Sequence, residues 1–352
     1  VTSAHNLLSA LLDNHINQGN ELDFDLRNIT WRRVMDMNDR CLRQVVVGLG
    51  PTTNGVPRVT GFDITTASEI MAILCLSTSM QNLKERLGRI VVGYNTKGAA
   101  IFAKDLHAVG SMSLLLKDAL MPNLLQTTEN TPAFIHGGPF ANIAHGANTV
   151  LATMMANKLG DYVVTEGGFG GDLGAEKFYN IVCRAANLKP QCCVIVATAR
   201  ALKCHGGVGY KEAGPENLAA LEKGLANLEQ HIENMAKFGV PSVVAINAFP
   251  TDTPAELKLI EDKCNEKGAN VVLSEGWAKG GEGTKALATK VVEVCEAGKS
   301  NFKPLYDVNE SIEAKVNKVC TEIYRADGVD FTPLAKEQAE KLAKLGLDKL
   351  PI

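Results

Sequence analysis

Seven apolar, β-branched runs recur along this chain: RQVVVGLG, RIVVGY, PAFIHGG, DYVVTEGG, CCVIVATAR, PSVVAINAF and NVVLSEGW. Between them lie stretches with helical apolar spacing near 67–76, 111–120, 141–158, 175–185, 216–238, 254–267 and 284–297. Strand-length runs alternating with amphipathic stretches predict βαβ units. The expected fold is therefore α/β, a mostly parallel sheet with helices on both faces. Runs that are apolar throughout, rather than at every second residue, agree with strands buried on both sides. From 301 to 352 the pattern changes to two charged amphipathic stretches, 310–324 and 333–345, with no strand. The expected organisation is an α/β core over 1–300 and a helical segment over 301–352.

Composition narrows the function classes. The chain has 352 residues, 45% hydrophobic, with 36 basic and 39 acidic side chains and a net charge of -3. That is enough for one large core or two domains, and its balance argues against a nucleic-acid or membrane surface. No apolar stretch approaches the roughly 20 residues that a bilayer demands, and no basic-then-apolar leader opens the chain. The nine cysteines are scattered without a C-x-x-C pair. They predict free thiols in a reducing, cytoplasmic setting and no structural zinc. The chain begins at Val1, already in helical spacing (Leu7, Leu8, Leu11, Leu12, Ile16), and ends in DKLPI. Both ends read as cuts through a longer protein, or as a trimmed one.

Chemistry is expected in the loops that follow the strands, because ligands of open parallel sheets bind at the carboxyl edge. Phe249 and Trp277 each stand just past an apolar run. Two flat rings there suit a clamp for a flat heterocycle, or they cap the core. In His136-Gly-Gly-Pro-Phe140, the proline suits a first helical position and the N–H groups behind it an anion. A tight turn with satisfied histidines at 136 and 145 fits equally. The loop from Thr165 to Gly174 is rich in glycine but fails the G-x-G-x-x-G spacing, so a dinucleotide site is weakly supported. Gly168 and Gly170 still permit close backbone approach to a ligand, with Phe169 between them. Asn247 and Asp252 are ordered in a way similar to the base-reading loop of P-loop GTPases. Lys279, Arg200 and Lys203 are candidate anion contacts, or solvated charges. Thr66 or Ser68 is a candidate helix cap. No G-x-x-x-x-G-K-[ST] stretch occurs; Gly298-Lys299-Ser300 has Glu293 where the first glycine belongs.

Taken together, several long stretches resemble formate–tetrahydrofolate ligase. They include ITWRRVMDMNDR, FDITTASEIMAILCL, LLLKDALMPNLLQTTENTPAFIHGGPFANIAHG, DYVVTEGGFGGDLGAEKF, VIVATARALKCHGG, FGVPSVVAINAFPTDT, SEGWAKGGEG and TEIYRADGV, and run in order over essentially the whole chain. The resemblance implies an incomplete P-loop NTPase-like core. It also implies a chemistry: ATP phosphorylates formate, and the N10 amine of tetrahydrofolate takes the formyl group from formyl phosphate. ATP with Mg2+, a monovalent cation and tetrahydrofolate are the implied ligands. Phe249 and Trp277 would hold the pterin, and Phe169, Gly168 and Gly170 would lie by formyl phosphate. Asn247, Asp252, Lys279, Arg200 and His136 are further nucleotide or anion candidates. No catalytic residue and no metal ligand is assigned.

The family's phosphate-loop segment and its C-terminal sheet segment do not occur in this sequence. The expectation is thus a partial ligase with negligible turnover alone, associating with another copy or with a complementing N-terminal fragment. A non-catalytic folate-binding subunit is the alternative. Ala147, Gly167, Gly171 and Ala199 depart from the family's usual residues in ways expected to adjust packing only.

Overall fold

The structure, a computed structural model, describes residues 1–352. It is α/β, with several small sheets, and divides into two compact units, Val1–Phe169 and Gly170–Ile352. No helix is long and apolar enough to cross a membrane.

In the first unit, helix Thr2–Asn17 buries Ala4, Leu8, Leu12 and Ile16. Those residues recur every fourth position and so share one helical face. The face joins a core that includes Leu83, Leu87, Ile90, Val92 and Met112. Trp31 closes the core's edge: its indole N–H donates to the His5 carbonyl at 3.2 Å, and its ring stacks on the His5 imidazole at 4.0 Å. Strand Val91–Asn95 lies between Phe24–Ile29 and Ala100–Phe102, antiparallel to both. Ser68, one of the two expected caps, accepts from the Ile70 N–H at 3.1 Å and starts helix Glu69–Leu76.

Parallel pairing covers less of the chain than the apolar runs suggest. Val45–Val47 pairs antiparallel with Arg58–Thr60, and Pro132–Ile135 forms a hairpin with Asn123–Gln126. The run DYVVTEGG forms no strand, and Val164 is 87% exposed. An apolar run makes a strand only when a neighbour pairs its backbone, and periodicity carries no information about that neighbour. The helix expected from Ala141 also starts late, at Val150. Gly146 turns the chain back with φ +56, so close to Ala141 that a Cβ on it would stand 2.2 Å from the Ala141 Cβ. The anion site expected behind Pro139 therefore has no helix start to supply it.

In the second unit, the strands Cys193–Ala197, Ser242–Asn247 and Asn270–Ser274 form a parallel sheet in sequence order. Helices Ala199–His205, Leu218–Lys237, Pro254–Glu266 and Lys285–Glu296 connect and flank them. Val244, Ile246, Leu221, Leu225, Leu228 and Ile260 fill the core between sheet and helices. Helices Ala199–His205 and Leu218–Lys237 approach backbone to backbone. A Cβ on Gly224 would meet the Leu202 carbonyl oxygen at 1.8 Å, so only glycine fits. The 301–352 segment is held together internally by Lys315 and tied to the rest of the unit by Arg184 and by Asn234, whose amide donates to the Ile323 carbonyl at 3.2 Å. Lys315 is fully buried and donates to the carbonyls of Val308, Asp348 and Leu350. Arg184 donates to the Tyr306 carbonyl at 2.7 Å.

Glu176 gives this unit a pH signature. Only 4% of it is exposed. Burial pushes its carboxyl up to about 7, against the downward pull of the Asn180 amide and Lys177. Its folded-state value lies above the unfolded value of 4.5, so the associated stability is full below about pH 4.5 and is lost as pH rises through about 7. Glu176→Gln is expected to flatten the fall in urea midpoint across that window. A fall of unchanged steepness in the variant would refute the assignment.

Candidate functional site

The parallel sheet ends at Ala197, Asn247 and Ser274, with Asn247 in register with Ser274. One more bond, Ala248 N–H to the Ser274 carbonyl at 3.0 Å, carries the pairing past the last strand residue. The two loops that carry the aromatic residues thus leave the sheet side by side.

The 248–253 loop is a closed turn. The Phe249 N–H donates to Asp252 Oδ2 at 2.8 Å, and the Asp252 N–H donates back to the Phe249 carbonyl at 2.9 Å. Asp252 is therefore engaged in shaping the loop. Thr253 then starts helix Pro254–Glu266 through a reciprocal capping box with Glu256. In the second loop, one short turn, Gly276–Lys279, presents Trp277. Gly283 folds back so that its carbonyl accepts from the Glu275 N–H at 3.0 Å, and a Cβ there would lie 2.5 Å from the Glu275 oxygen. Lys279 pairs with Glu275 at 2.6 Å in the open, an interaction worth about 0–1 kcal/mol.

Phe249 and Trp277 meet at 5.9 Å between centroids with their planes 52° apart. That is the separation of an aromatic pair in mutual contact. A flat heterocycle enters between the rings only if they part, or it lies across both. Trp277, 64% exposed on its short turn, is the freer of the two; Phe249 is half-buried. Asn247, the last residue of its strand, is half-buried.

Arg200 is exposed, stacks its guanidinium 4.2 Å over Tyr210 and donates to the Tyr210 carbonyl at 3.0 Å. Lys203, read from sequence as a possible anion contact, points into the interior instead. It is 1% exposed and pairs with Glu256, 0% exposed, at 2.8 Å. Its ammonium also donates to the Pro215 carbonyl at 2.9 Å. Glu256 accepts from the Asn217 N–H at 3.1 Å and the Thr253 N–H at 3.3 Å. Burial pushes the Glu256 carboxyl up, but Lys203 and those two N–H groups outweigh it and hold the carboxyl below its ordinary range. This buried pair therefore anchors the loop that delivers Phe249. Its sequence signals are T-P-A-E, a capping box, and the position of Lys203 on the same buried face as Ala199 and Leu202.

The glycine loop falls at the boundary of the two units. In the first, the Gly168 N–H donates to the Gly146 carbonyl at 2.9 Å, and Phe169 is 72% exposed with φ +69. A left-handed backbone on a bulky non-glycine residue costs on the order of 1–3 kcal/mol and clusters at functional sites. In the second, Gly170 and Gly171 lie against His231, whose Nδ1 would stand 3.2 Å from a Cβ on Gly171. Burial, with His205 adding to it and Asp172 opposing it, holds the His231 imidazole below its usual range. No sequence spacing marked His231. His136, in the first unit, uses both ring nitrogens, one on the Ala119 carbonyl and one on the Thr149 hydroxyl, each at 2.7 Å. Thr149 in turn caps helix Val150–Leu159.

An α/β protein that brings two aromatic rings and a set of turned loops to the carboxyl edge of a parallel sheet belongs, by fold and site, among ligand-binding α/β proteins. The family is specific: the model for formate–tetrahydrofolate ligase matches residues 1–352, and the chain belongs to that family.

Proposed function

We propose that this chain works in the ATP-dependent ligation of formate to tetrahydrofolate, with formyl phosphate as the intermediate. ATP would phosphorylate formate, and the N10 amine of tetrahydrofolate would then displace phosphate from the formyl carbon. The observation that carries the reading is the Phe249–Trp277 pair, side by side on loops from adjacent parallel strands. In this reading the two rings take the pterin by stacking, Trp277 swinging to admit it. Asn247 and Asp252 set the floor and shape of the Phe249 loop. Arg200 and Lys279 are surface cations that draw anionic ligands toward the unit.

Phe169 serves the acyl phosphate side, its strained backbone holding the ring out, while Gly168 and Gly170 allow backbone approach without a side-chain clash. Most of the catalysis of phosphoryl transfer comes from such positioning and from charge stabilisation. No group of three or more His, Cys, Asp or Glu side chains converges in the structure. Mg2+ enters this reading as the partner of ATP's phosphates. The reading includes a monovalent cation and association of copies, with an incomplete P-loop-like sheet as the scaffold.

Phe169→Gly is expected to raise stability by about 1 kcal/mol, because glycine adopts φ +69 without strain. The same change is expected to weaken formyl transfer, and thermal melting with turnover by the assembled ligase reads both. A variant no more stable and equally active would remove Phe169 from the site. For the function itself, equilibrium dialysis against tetrahydrofolate is the test. One folate bound per chain and not displaced by NADP+ supports the ligase reading. Displacement by NADP+ would instead favour a nicotinamide-dependent oxidoreductase using the glycine loop.

A further inference from the structure

Two cysteines far apart in the chain meet in the second unit. Cys192 stands immediately before strand Cys193–Ala197, at the amino edge of the parallel sheet. Cys295 lies in the last turn of helix Lys285–Glu296. That helix ends at the same edge, because the chain just past it is stitched there. Ser300 Oγ donates to the Pro190 carbonyl at 2.6 Å, and the Asn301 N–H donates to the Gly239 carbonyl at 2.9 Å. The two thiols are in hydrogen-bond contact, Cys192 as donor and Cys295 as acceptor. Both are half-buried, and neither is in a disulfide. Cys193 is engaged elsewhere: its sulfur accepts from the Tyr179 hydroxyl, beside the core around Phe238.

The two sulfurs differ in reactivity. Burial pushes the Cys192 thiol up to about 12, with Cys295 and Cys193 adding to it. Burial and Glu296 also raise the Cys295 thiol, but the hydrogen bond from Cys192 opposes them. Cys295 is therefore the nucleophile of the pair, and Cys192 the thiol that resolves it. With both raised, the pair stays reduced until an oxidant is in excess. We propose that Cys192 and Cys295 form an oxidation site that a hydroperoxide converts into a disulfide. The Cys295 thiolate attacks a peroxide oxygen, the O–O bond breaks, and an alcohol or water leaves a sulfenic acid behind. The Cys192 sulfur then forms the S–S bond and displaces the sulfenic oxygen, which takes the Cys192 proton and departs as water. Two thiols lose two electrons and two protons, and the hydroperoxide accepts them. The new bond closes a loop of roughly 100 residues and so restricts the unfolded chain. It lies at the amino edge, whereas Phe249 and Trp277 stand past the carboxyl ends of their strands, so the proposal is independent of the folate reading.

Peptide mapping by mass spectrometry, after treatment of the folded chain with excess hydrogen peroxide, tests it. A Cys41→Ser background removes an exposed thiol that would cross-link chains to one another. A peptide pair joined through Cys192 and Cys295, and released by dithiothreitol, is expected in most chains. The oxidised chain is expected to melt roughly 5–15 °C above the reduced one. Cys192→Ser is expected to lose the cross-link and to leave a sulfenic acid on Cys295 that dimedone labels. Absence of the cross-link in the parent chain overturns the proposal. A cross-link that survives in Cys192→Ser does so too, because it would make Cys193 the partner. An oxidised chain that melts no higher than the reduced one would place the bond outside the native geometry and also overturns it.

Discussion

Lys203→Met is expected to destabilise the second unit by about 3–5 kcal/mol, the usual cost of breaking a buried ion pair from one side. The substitution keeps the length of the side chain and removes its charge, leaving the Glu256 carboxylate fully buried. Adding Glu256→Gln is expected to restore part of the loss. The neutral amide keeps one acceptor oxygen, for either the Asn217 or the Thr253 N–H, and no uncompensated charge remains, so the recovery is partial. Urea unfolding of the two variants and the wild type measures this. If the single variant lost less than about 1 kcal/mol, or the double variant lost more than the single, the pair would not anchor the site as described. The effect should also reach folate binding, since Glu256 caps the helix that follows the Phe249 loop.

Trp277→Ala is the larger of the two effects on ligand binding. Stacking of a flat base on one aromatic side chain is worth about 1–3 kcal/mol, so tetrahydrofolate affinity is expected to fall about tenfold to hundredfold. Stability should change little, because Trp277 is 64% exposed and its principal ring neighbour is Phe249. Trp277→Phe, which keeps a flat ring, is expected to retain most of the affinity. Equal losses in the alanine and phenylalanine variants would point to the fold of the turn rather than to stacking.

Much of the second unit was legible in the sequence. CCVIVATAR, PSVVAINAF and NVVLSEGW are parallel strands, and the helices expected at 216–238, 254–267 and 284–297 begin and end within a few residues of those positions, whereas helix Ala199–His205 was not expected. Those runs are long, β-branched and bounded by strong caps such as the Thr253 box, so local and tertiary preferences agree. The first unit was less legible. Its apolar runs at 45–47, 91–95 and 132–135 pair antiparallel with short strands that carry little periodicity of their own. DYVVTEGG has the composition of a strand and no partner.

The same division holds for side chains. Phe249 and Trp277 were visible because rings after strands are conspicuous, and the structure brings them together. Their mutual contact was not visible, since spacing carries no angle between rings. Lys203 reads as a surface cation by residue type; only its helical face shows that it is buried. The Cys192–Cys295 contact joins the start of a strand to the end of a distant helix, and no local pattern announces it.

The central claim is that this chain carries a folded folate platform at Phe249 and Trp277. Titrating the chain with tetrahydrofolate while following tryptophan emission tests it most directly. Trp31, the other emitter, is buried under His5 in the first unit, so Trp277→Phe isolates the signal. Saturable quenching in the wild type that disappears in Trp277→Phe, while dialysis shows that the variant still binds folate, is the predicted result. An emission that does not respond to tetrahydrofolate, or quenching that persists unchanged in the variant, would contradict it.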